Sequence, residues 1–130
     1  MRQLFREIHL EMAQDAAAAR SPSPDGRIVR ILDQLTGQLG GLDLLVYAAG
    51  IMHTPGEGEY DFARDRAQIE VNLLGAMAWT TPVVAMFEAR RAGTIIGISS
   101  IAGERGRRTF PGYSTSKAAF TTWLEGLRNK

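Results

Sequence analysis

The stretch from Gly97 to Ala119 reads G-I-S-S-I-A-G-E-R-G-R-R-T-F-P-G-Y-S-T-S-K-A-A. It begins at the end of an apolar strand predicted over Thr94–Ser99, continues through a charged loop that contains glycine, and then reaches Pro111. If the segment after Pro111 is a helix, Tyr113 and Lys117 lie one turn apart on the same face of it. The stretch therefore predicts a strand, a loop and a helix that together present a phenol and an ammonium.

The pairing of Tyr113 with Lys117 is typical of proton transfer. A phenol ordinarily titrates near pH ~10, and an ammonium held beside a phenol favours the phenolate form. Such a phenol can serve as a general acid or base at neutral pH. A serine at the end of the neighbouring strand can hydrogen-bond the same substrate oxygen, so the stretch predicts chemistry at a carbonyl or alcohol oxygen.

Composition narrows the class of protein. The 130 residues allow one domain at most, and 45% hydrophobic with 22% charged residues is ordinary for a soluble globular protein. A formal net charge of +1 provides no electrostatic reason to expect a nucleic acid or membrane partner. The absence of cysteine excludes disulfides and thiolate metal sites, and the two histidines are far apart, so we expect no metal. No secretory signal is visible, and we expect a cytoplasmic protein.

The first forty residues predict helices on either side of a loop. Met1–Arg20 has apolar residues at helical spacing, although a short strand over Ile8–Met12 is an alternative. Ser21–Gly26 is rich in proline and predicts a loop, and Arg27–Leu39 predicts a helix that ends at a glycine pair. The glycines of Thr36–Gly41 follow a helix and precede a strand, which is the wrong order for a phosphate-binding loop.

The rest of the chain alternates strands and helices. Leu42–Gly50 is a short apolar run, which predicts a strand buried on both faces of a parallel sheet. Asp61–Arg91 predicts a long helix that Pro82 kinks or divides. The last helix has one apolar face, formed by Phe120, Trp123, Leu124 and Leu127. This order predicts a right-handed parallel β-α-β unit, with Gly50 and Ser100 at the strand ends where ligands bind.

Three motifs resemble those of the short-chain dehydrogenase/reductase family. The pattern Y-x-x-x-K at Tyr113 has a serine, Ser100, thirteen residues before it, as the family has. The sequence Y-A-A-G at Tyr47–Gly50 is similar to the family's N-N-A-G, although only its last two residues match and tyrosine and alanine replace the asparagines. The sequence V-N-L-L-G at Val71–Gly75 resembles the family's N-x-x-G, in which the asparagine interrupts regular helix geometry.

The resemblance implies an α/β fold with a partial Rossmann-like parallel sheet flanked by helices. It implies an NAD(P)-dependent oxidoreductase that acts on a small-molecule carbonyl or secondary alcohol. It implies that Tyr113 is the general acid/base, that Lys117 holds the nicotinamide ribose, and that Ser100 polarises the substrate oxygen. The full set of implied residues is Asn72, Ser100, Tyr113 and Lys117 for catalysis, and Ala49, Gly50, Tyr113 and Lys117 for cofactor binding.

One motif of the family does not occur in these 130 residues, namely the T-G-x-x-x-G-x-G loop that cradles the pyrophosphate. The resemblance is carried by residues 39–130 and is vague over the helical part predicted over 1–38. We therefore expect residues 1–130 to form a single incomplete Rossmann-like domain, a truncated form with impaired cofactor binding. The substrate and the choice between NAD and NADP stay open.

A truncated sheet would have an unpaired apolar edge. Such edges pair readily with other chains, so we expect a homo-oligomer or an association-prone chain. The alternative function is a non-catalytic dimerisation or interaction module derived from a reductase. The loop Glu104–Arg108 could be an anion-binding patch, although a solvated loop is the favoured interpretation. His53 could face the cleft, which is the less favoured interpretation for this residue.

Overall fold

Two parallel strands, with helices on one of their faces, form the part of the chain that the structure describes. The structure is a computed structural model and describes residues 26–54, 56 and 60–129. The helix or strand predicted within Met1–Arg20, and most of the loop that follows it, lie outside these residues. The elements in chain order are α1 (Gly26–Leu39), β1 (Leu44–Tyr47), α2 (Phe62–Ile69), a π-helical turn (Glu70–Leu74), α3 (Gly75–Arg90), β2 (Thr94–Gly97), a 3-10 turn (Ile101–Gly103) and α4 (Pro111–Arg128).

The sheet has the predicted parallel pairing. Leu44 lies opposite Thr94 and Tyr47 lies opposite Gly97. The prediction that β1 is buried on both faces is wrong, because Leu44 and Val46 are 50% and 47% exposed. The described helices cover only the other face, which carries Leu45 and Tyr47. In this structure β1 is therefore a strand with one packed face.

The long helix predicted over Asp61–Arg91 is confirmed as three consecutive segments, α2, the π turn and α3. It begins at Asp61, whose carboxylate accepts hydrogen bonds from the backbone N–H groups of the first helical turn. Of the two effects predicted for Pro82, division of the helix is wrong, because α3 continues through Pro82 to Arg90. The kink stays a prediction. A proline removes a single backbone donor, and the remaining helical hydrogen bonds maintain the helix. The interruption lies instead at the π turn that contains Asn72.

By length and composition alone, the continuous helix from Phe62 to Arg90 could cross a membrane. The core helix of a globular protein meets the same criteria. Here Trp79, Val83 and Phe87 are buried in the core, and Asn72 hydrogen-bonds the loop after β1. These contacts are those of a core helix.

The core lies between the inner sheet face and the helices. The apolar face predicted for α4 is confirmed, since Phe120 is fully buried and Trp123 and Leu124 pack against the same cluster. The Trp123 indole N–H donates to the Thr80 hydroxyl over 3.0 Å, which joins α4 to α3. The buried members of the cluster are Ile28, Leu32, Leu45, Tyr47, Ala76, Trp79, Val83, Phe87 and Phe120.

Candidate functional site

Lys117 is the buried cation of the candidate site. The helix predicted after Pro111 is confirmed as α4, and Lys117 in its second turn is only 4% exposed. Its Nζ donates to the Ile98 carbonyl oxygen over 2.9 Å and lies 5.9 Å from the centre of the Tyr113 ring. Burial lowers the pKa of the Lys117 ammonium, because desolvation disfavours the charged form. The predicted pair therefore shares one face of α4, at the edge where β2 ends.

Gly50, at the edge where β1 ends, lies against two of the predicted catalytic side chains. A β-carbon placed on Gly50 would be 3.3 Å from Asn72 Oδ1 and 3.5 Å from Lys117 Nζ. A side chain at this position would occupy the space beside the ammonium. The structure thus brings Gly50, Asn72 and Lys117 together, while Ala49 is half-buried against the core.

Asn72 is fully buried in the π turn and connects two elements. Its Oδ1 accepts from the Ile51 N–H over 2.7 Å, and its Nδ2 donates to the Ile51 carbonyl over 2.8 Å. The same Nδ2 donates to Ser116 Oγ over 2.9 Å, and Ser116 in turn donates to the Tyr113 carbonyl over 2.8 Å. An amide suits this position because it offers a donor and an acceptor to one residue's backbone. The helix interruption expected at this asparagine is confirmed.

The two serines after β2 have different surroundings. Ser99 Oγ is 2.7 Å from Thr121 Oγ1 and donates to the Lys117 carbonyl over 3.2 Å, so it fastens the strand end to α4. Ser100 Oγ accepts from the Ala102 N–H over 3.1 Å and caps the 3-10 turn. Within the described residues no hydrogen bond joins Ser100 to Tyr113 or Lys117. Ser100 therefore lies at the same edge as the pair without a hydrogen bond to it in the described part of the chain.

Gly103 sets how closely the turn after Ser100 approaches α4. A β-carbon on Gly103 would be 2.9 Å from both the Ala118 nitrogen and the Lys117 carbonyl carbon. These are backbone atoms of α4, so a side chain rotation cannot relieve the overlap. Only glycine allows this turn to rest directly on the helix that carries Tyr113 and Lys117.

Sequence reasoning missed several residues that build the site. Gln68 is buried one helical turn before Asn72, and its Oε1 accepts from the His53 N–H over 3.0 Å. Two amides at i and i+4 in an apolar helix were the signal that could have identified Gln68. Ser116 and Gly103 gave no comparable local signal. The His53 side chain is exposed.

The chain has measurable similarity to known proteins. The family model described as short chain dehydrogenase matches residues 3–130. An uncharacterized oxidoreductase from Myxococcus xanthus is 38% identical over 100 residues, which are 77% of this chain and 38% of the relative. The 3-dehydrosphinganine reductase of Danio rerio is 30% identical over 121 residues, which are 93% of this chain and 34% of that protein.

Solved structures share the same fold. The structure of ElxO with NADP bound matches with a TM-score of 0.73 and 27% identity, over 79% of this chain and 42% of that one. This chain spans between about a third and about two fifths of the length of these relatives.

Proposed function

The chain belongs to the short chain dehydrogenase family, and from this premise we propose that it provides the proton-transfer side of an NAD(P)-dependent oxidoreductase. The reaction would interconvert a carbonyl compound and a secondary alcohol. The observation that carries the proposal is the buried Lys117 ammonium, which lies beside Gly50 and near the Tyr113 ring. Burying an ammonium costs free energy unless its N–H groups have hydrogen-bond partners. Binding of a cofactor by this ammonium would explain why the chain keeps it buried.

The residues around Lys117 fit the ribose of a nicotinamide cofactor. The ammonium has three N–H donors, and among the described residues it donates one hydrogen bond, to Ile98. The other two donors would be available to hydrogen-bond the hydroxyls of a ribose. Gly50 leaves space beside the ammonium, and Ala49 and Gly50 would line the same cleft. When bound, the cofactor supplies or accepts a hydride at the substrate carbon.

Tyr113 would transfer the proton that balances the hydride. In the direction of reduction, Tyr113 Oη donates its proton to the substrate oxygen, and the resulting phenolate is stabilised by the Lys117 ammonium. The Ser100 hydroxyl would donate a hydrogen bond to the same oxygen. Asn72 would support the relay that returns a proton to Tyr113, since its amide bonds fix the π turn beside Lys117. In the direction of oxidation each transfer is reversed.

The relatives are consistent with this assignment. The Danio rerio relative is named as a reductase of a 3-dehydro compound, and ElxO was solved with NADP bound. Because the present sequence contains no T-G-x-x-x-G-x-G loop, we expect these 130 residues to bind the cofactor weakly, with a Kd on the order of 1 mM.

Nicotinamide fluorescence during titration with NADPH and NADH tests the proposal. Lys117→Met should weaken binding by roughly tenfold or more, the effect of losing about 1.4 kcal/mol. Tyr113→Phe should bind the cofactor as the wild type does and lose reduction of 2,3-butanedione, a small carbonyl probe. No saturable binding up to about 10 mM of either nucleotide would refute the proposal.

A second candidate function is an interaction module, favoured by the apolar outer face of the sheet. Leu44, Val46, Ile96 and Ile98 alternate along the paired strands and are all exposed. A contiguous apolar patch of this kind marks an association surface, so self-association into a homo-oligomer is part of this candidate. Size-exclusion chromatography that gives a monomer at all concentrations would exclude it. Nucleotide binding separates the oxidoreductase from the interaction module, because only the oxidoreductase requires it. Location in the cytoplasm stays a prediction.

A further inference from the structure

We propose that Tyr47 is a positioning residue that holds the π turn, and through it the Asn72 amide, against the end of β1. The proposal rests on the proposed function for its catalytic meaning, but its geometry is independent of that function. Tyr47 stands where the resemblance would place an asparagine, and neither the motif nor the reaction accounts for a phenol there.

The Tyr47 ring is fixed from several sides. It is the last residue of β1, points into the core and is only 1% exposed. Its ring packs at a tilt of 59° against the Phe120 ring, with centres 5.7 Å apart. An aromatic side chain has two torsions, so packing of the ring leaves the hydroxyl little freedom.

The hydroxyl of Tyr47 reaches the backbone of the π turn. Its Oη donates to the Val71 carbonyl oxygen over 3.3 Å. That carbonyl belongs to the peptide bond between Val71 and Asn72, so the contact fixes the plane from which the Asn72 side chain projects. A π turn disrupts the regular ladder of helical hydrogen bonds, and a side chain that enters the ladder is a recognised cause of such distortions.

The chemistry of a buried phenol suits this role. A phenol is a hydrogen-bond donor at neutral pH, and burial raises the pKa of the Tyr47 hydroxyl further above its usual range. An asparagine at the same position is much shorter and would not reach the turn. The Tyr47 hydroxyl and the Asn72 amide therefore join β1 and the loop after it to the same helical turn.

The consequence concerns the geometry around Gly50. Asn72 Oδ1 and Lys117 Nζ both border the position of a Gly50 β-carbon. Rotation of the peptide before Asn72 would move Oδ1 relative to this space. Tyr47 thus acts on the candidate site through Asn72, without contact with substrate or cofactor.

The test uses Tyr47→Phe in the 130-residue chain, with the Asn72 side-chain amide followed by nuclear magnetic resonance. Loss of one net hydrogen bond should speed exchange of the Asn72 Nδ2 protons roughly fivefold. Tyr47→Asn should give the same increase, because its amide does not reach Val71. The matched control is Thr81→Val, which removes another hydroxyl bonded to a helix carbonyl, that of Met77, and should leave the Asn72 exchange rate unchanged. An unchanged Asn72 exchange rate in Tyr47→Phe, or an equal increase in Thr81→Val, would overturn the proposal.

A wild-type measurement covers the case in which Tyr47→Phe does not fold. The Tyr47 hydroxyl proton should exchange slowly with water and show a through-space contact to the Asn72 backbone amide. Tyr60, which is 94% exposed, provides the reference for a freely exchanging hydroxyl. A Tyr47 hydroxyl that exchanges as freely as that of Tyr60 would refute the proposal. Turnover of 2,3-butanedione is a separate measurement: Tyr47→Phe should lower kcat without changing the KM for NADPH. The two proposals can fail separately. If Tyr47→Phe speeds exchange of the Asn72 Nδ2 protons but the wild type does not turn over 2,3-butanedione, the proposed function fails and the positioning role stands.

Discussion

Gly103→Ala tests how the turn after Ser100 is seated on α4. The added methyl would lie 2.9 Å from two backbone atoms of Lys117 and Ala118, whereas ordinary contacts begin at 3.4 Å. The turn must therefore move by about 0.5 Å, the difference between these two distances. Forced overpacking of this kind costs about 1–3 kcal/mol.

Part of that cost is offset in the unfolded chain. Replacing glycine by alanine reduces the conformational freedom of the unfolded state and stabilises by about 0.4–1 kcal/mol where the native backbone accepts alanine. We expect Gly103→Ala to lower the free energy of unfolding by about 1–2 kcal/mol as the net of these effects. Its displacement of Ser100 should also reduce any carbonyl reduction by roughly tenfold or more, since misplacement by 1 Å can cost about a hundredfold.

Gly106→Ala is the matched control in the same loop. A β-carbon on Gly106 meets no atom within 4 Å, and the residue is not in the left-handed region. This variant should be neutral or slightly stabilised. Urea denaturation followed by tryptophan fluorescence at low protein concentration measures both variants. If Gly103→Ala and Gly106→Ala agree within about 0.5 kcal/mol, the close approach does not limit the turn and the reasoning is wrong.

Three further predictions concern the hydrogen bonds and charges of the site. Asn72→Leu leaves the N–H and carbonyl of Ile51 without their partner, and we expect a loss of about 2–4 kcal/mol in urea denaturation; a loss below about 0.5 kcal/mol would show that water replaces the amide. The Lys117 ammonium has a pKa below its ordinary value of 10.5 in the folded chain. Between that lowered pKa and 10.5 the unfolded chain binds more protons than the folded chain, so the free energy of unfolding rises with pH. Denaturation curves across this window should show the rise in the wild type but not in Lys117→Met, and parallel pH profiles would contradict it. Trp123→Phe removes the bond to Thr80 and should cost about 1 kcal/mol, measured by the same denaturation, whereas an unchanged midpoint would assign that bond no net stabilisation.

Local spacing was sufficient to predict part of the site. A separation of four residues places Tyr113 and Lys117 on one helix face whatever the tertiary structure, and the structure confirms this. An asparagine within an apolar helical stretch needs partners, and Asn72 has three hydrogen bonds. Both predictions rest on properties of a single element.

The residues that were missed depend on the approach of two elements. Gly103 matters because the 3-10 turn packs directly against the backbone of α4 there. The spacing of apolar residues in the sequence does not predict how closely a turn and a helix approach. Ser116 matters because its hydroxyl meets an amide 44 positions away in the chain. A division of the helix at Pro82 does not occur for a related reason, since helix propensity is a local property and packing of α3 in the core outweighs it.

Several hydrogen bonds of the site join a side chain of one element to the backbone of another. Asn72 bonds the backbone of Ile51, Lys117 bonds that of Ile98, and Ser99 bonds that of Lys117. Backbone atoms at element ends are held by the sheet and helices, so these bonds hold Asn72, Ser99 and Lys117 in place without a bound nucleotide. The geometry around Lys117 should therefore persist even where the cofactor binds weakly. Cofactor affinity and the arrangement of Tyr113, Lys117 and Asn72 are then separable properties of this chain, and Lys117→Met alone should affect both.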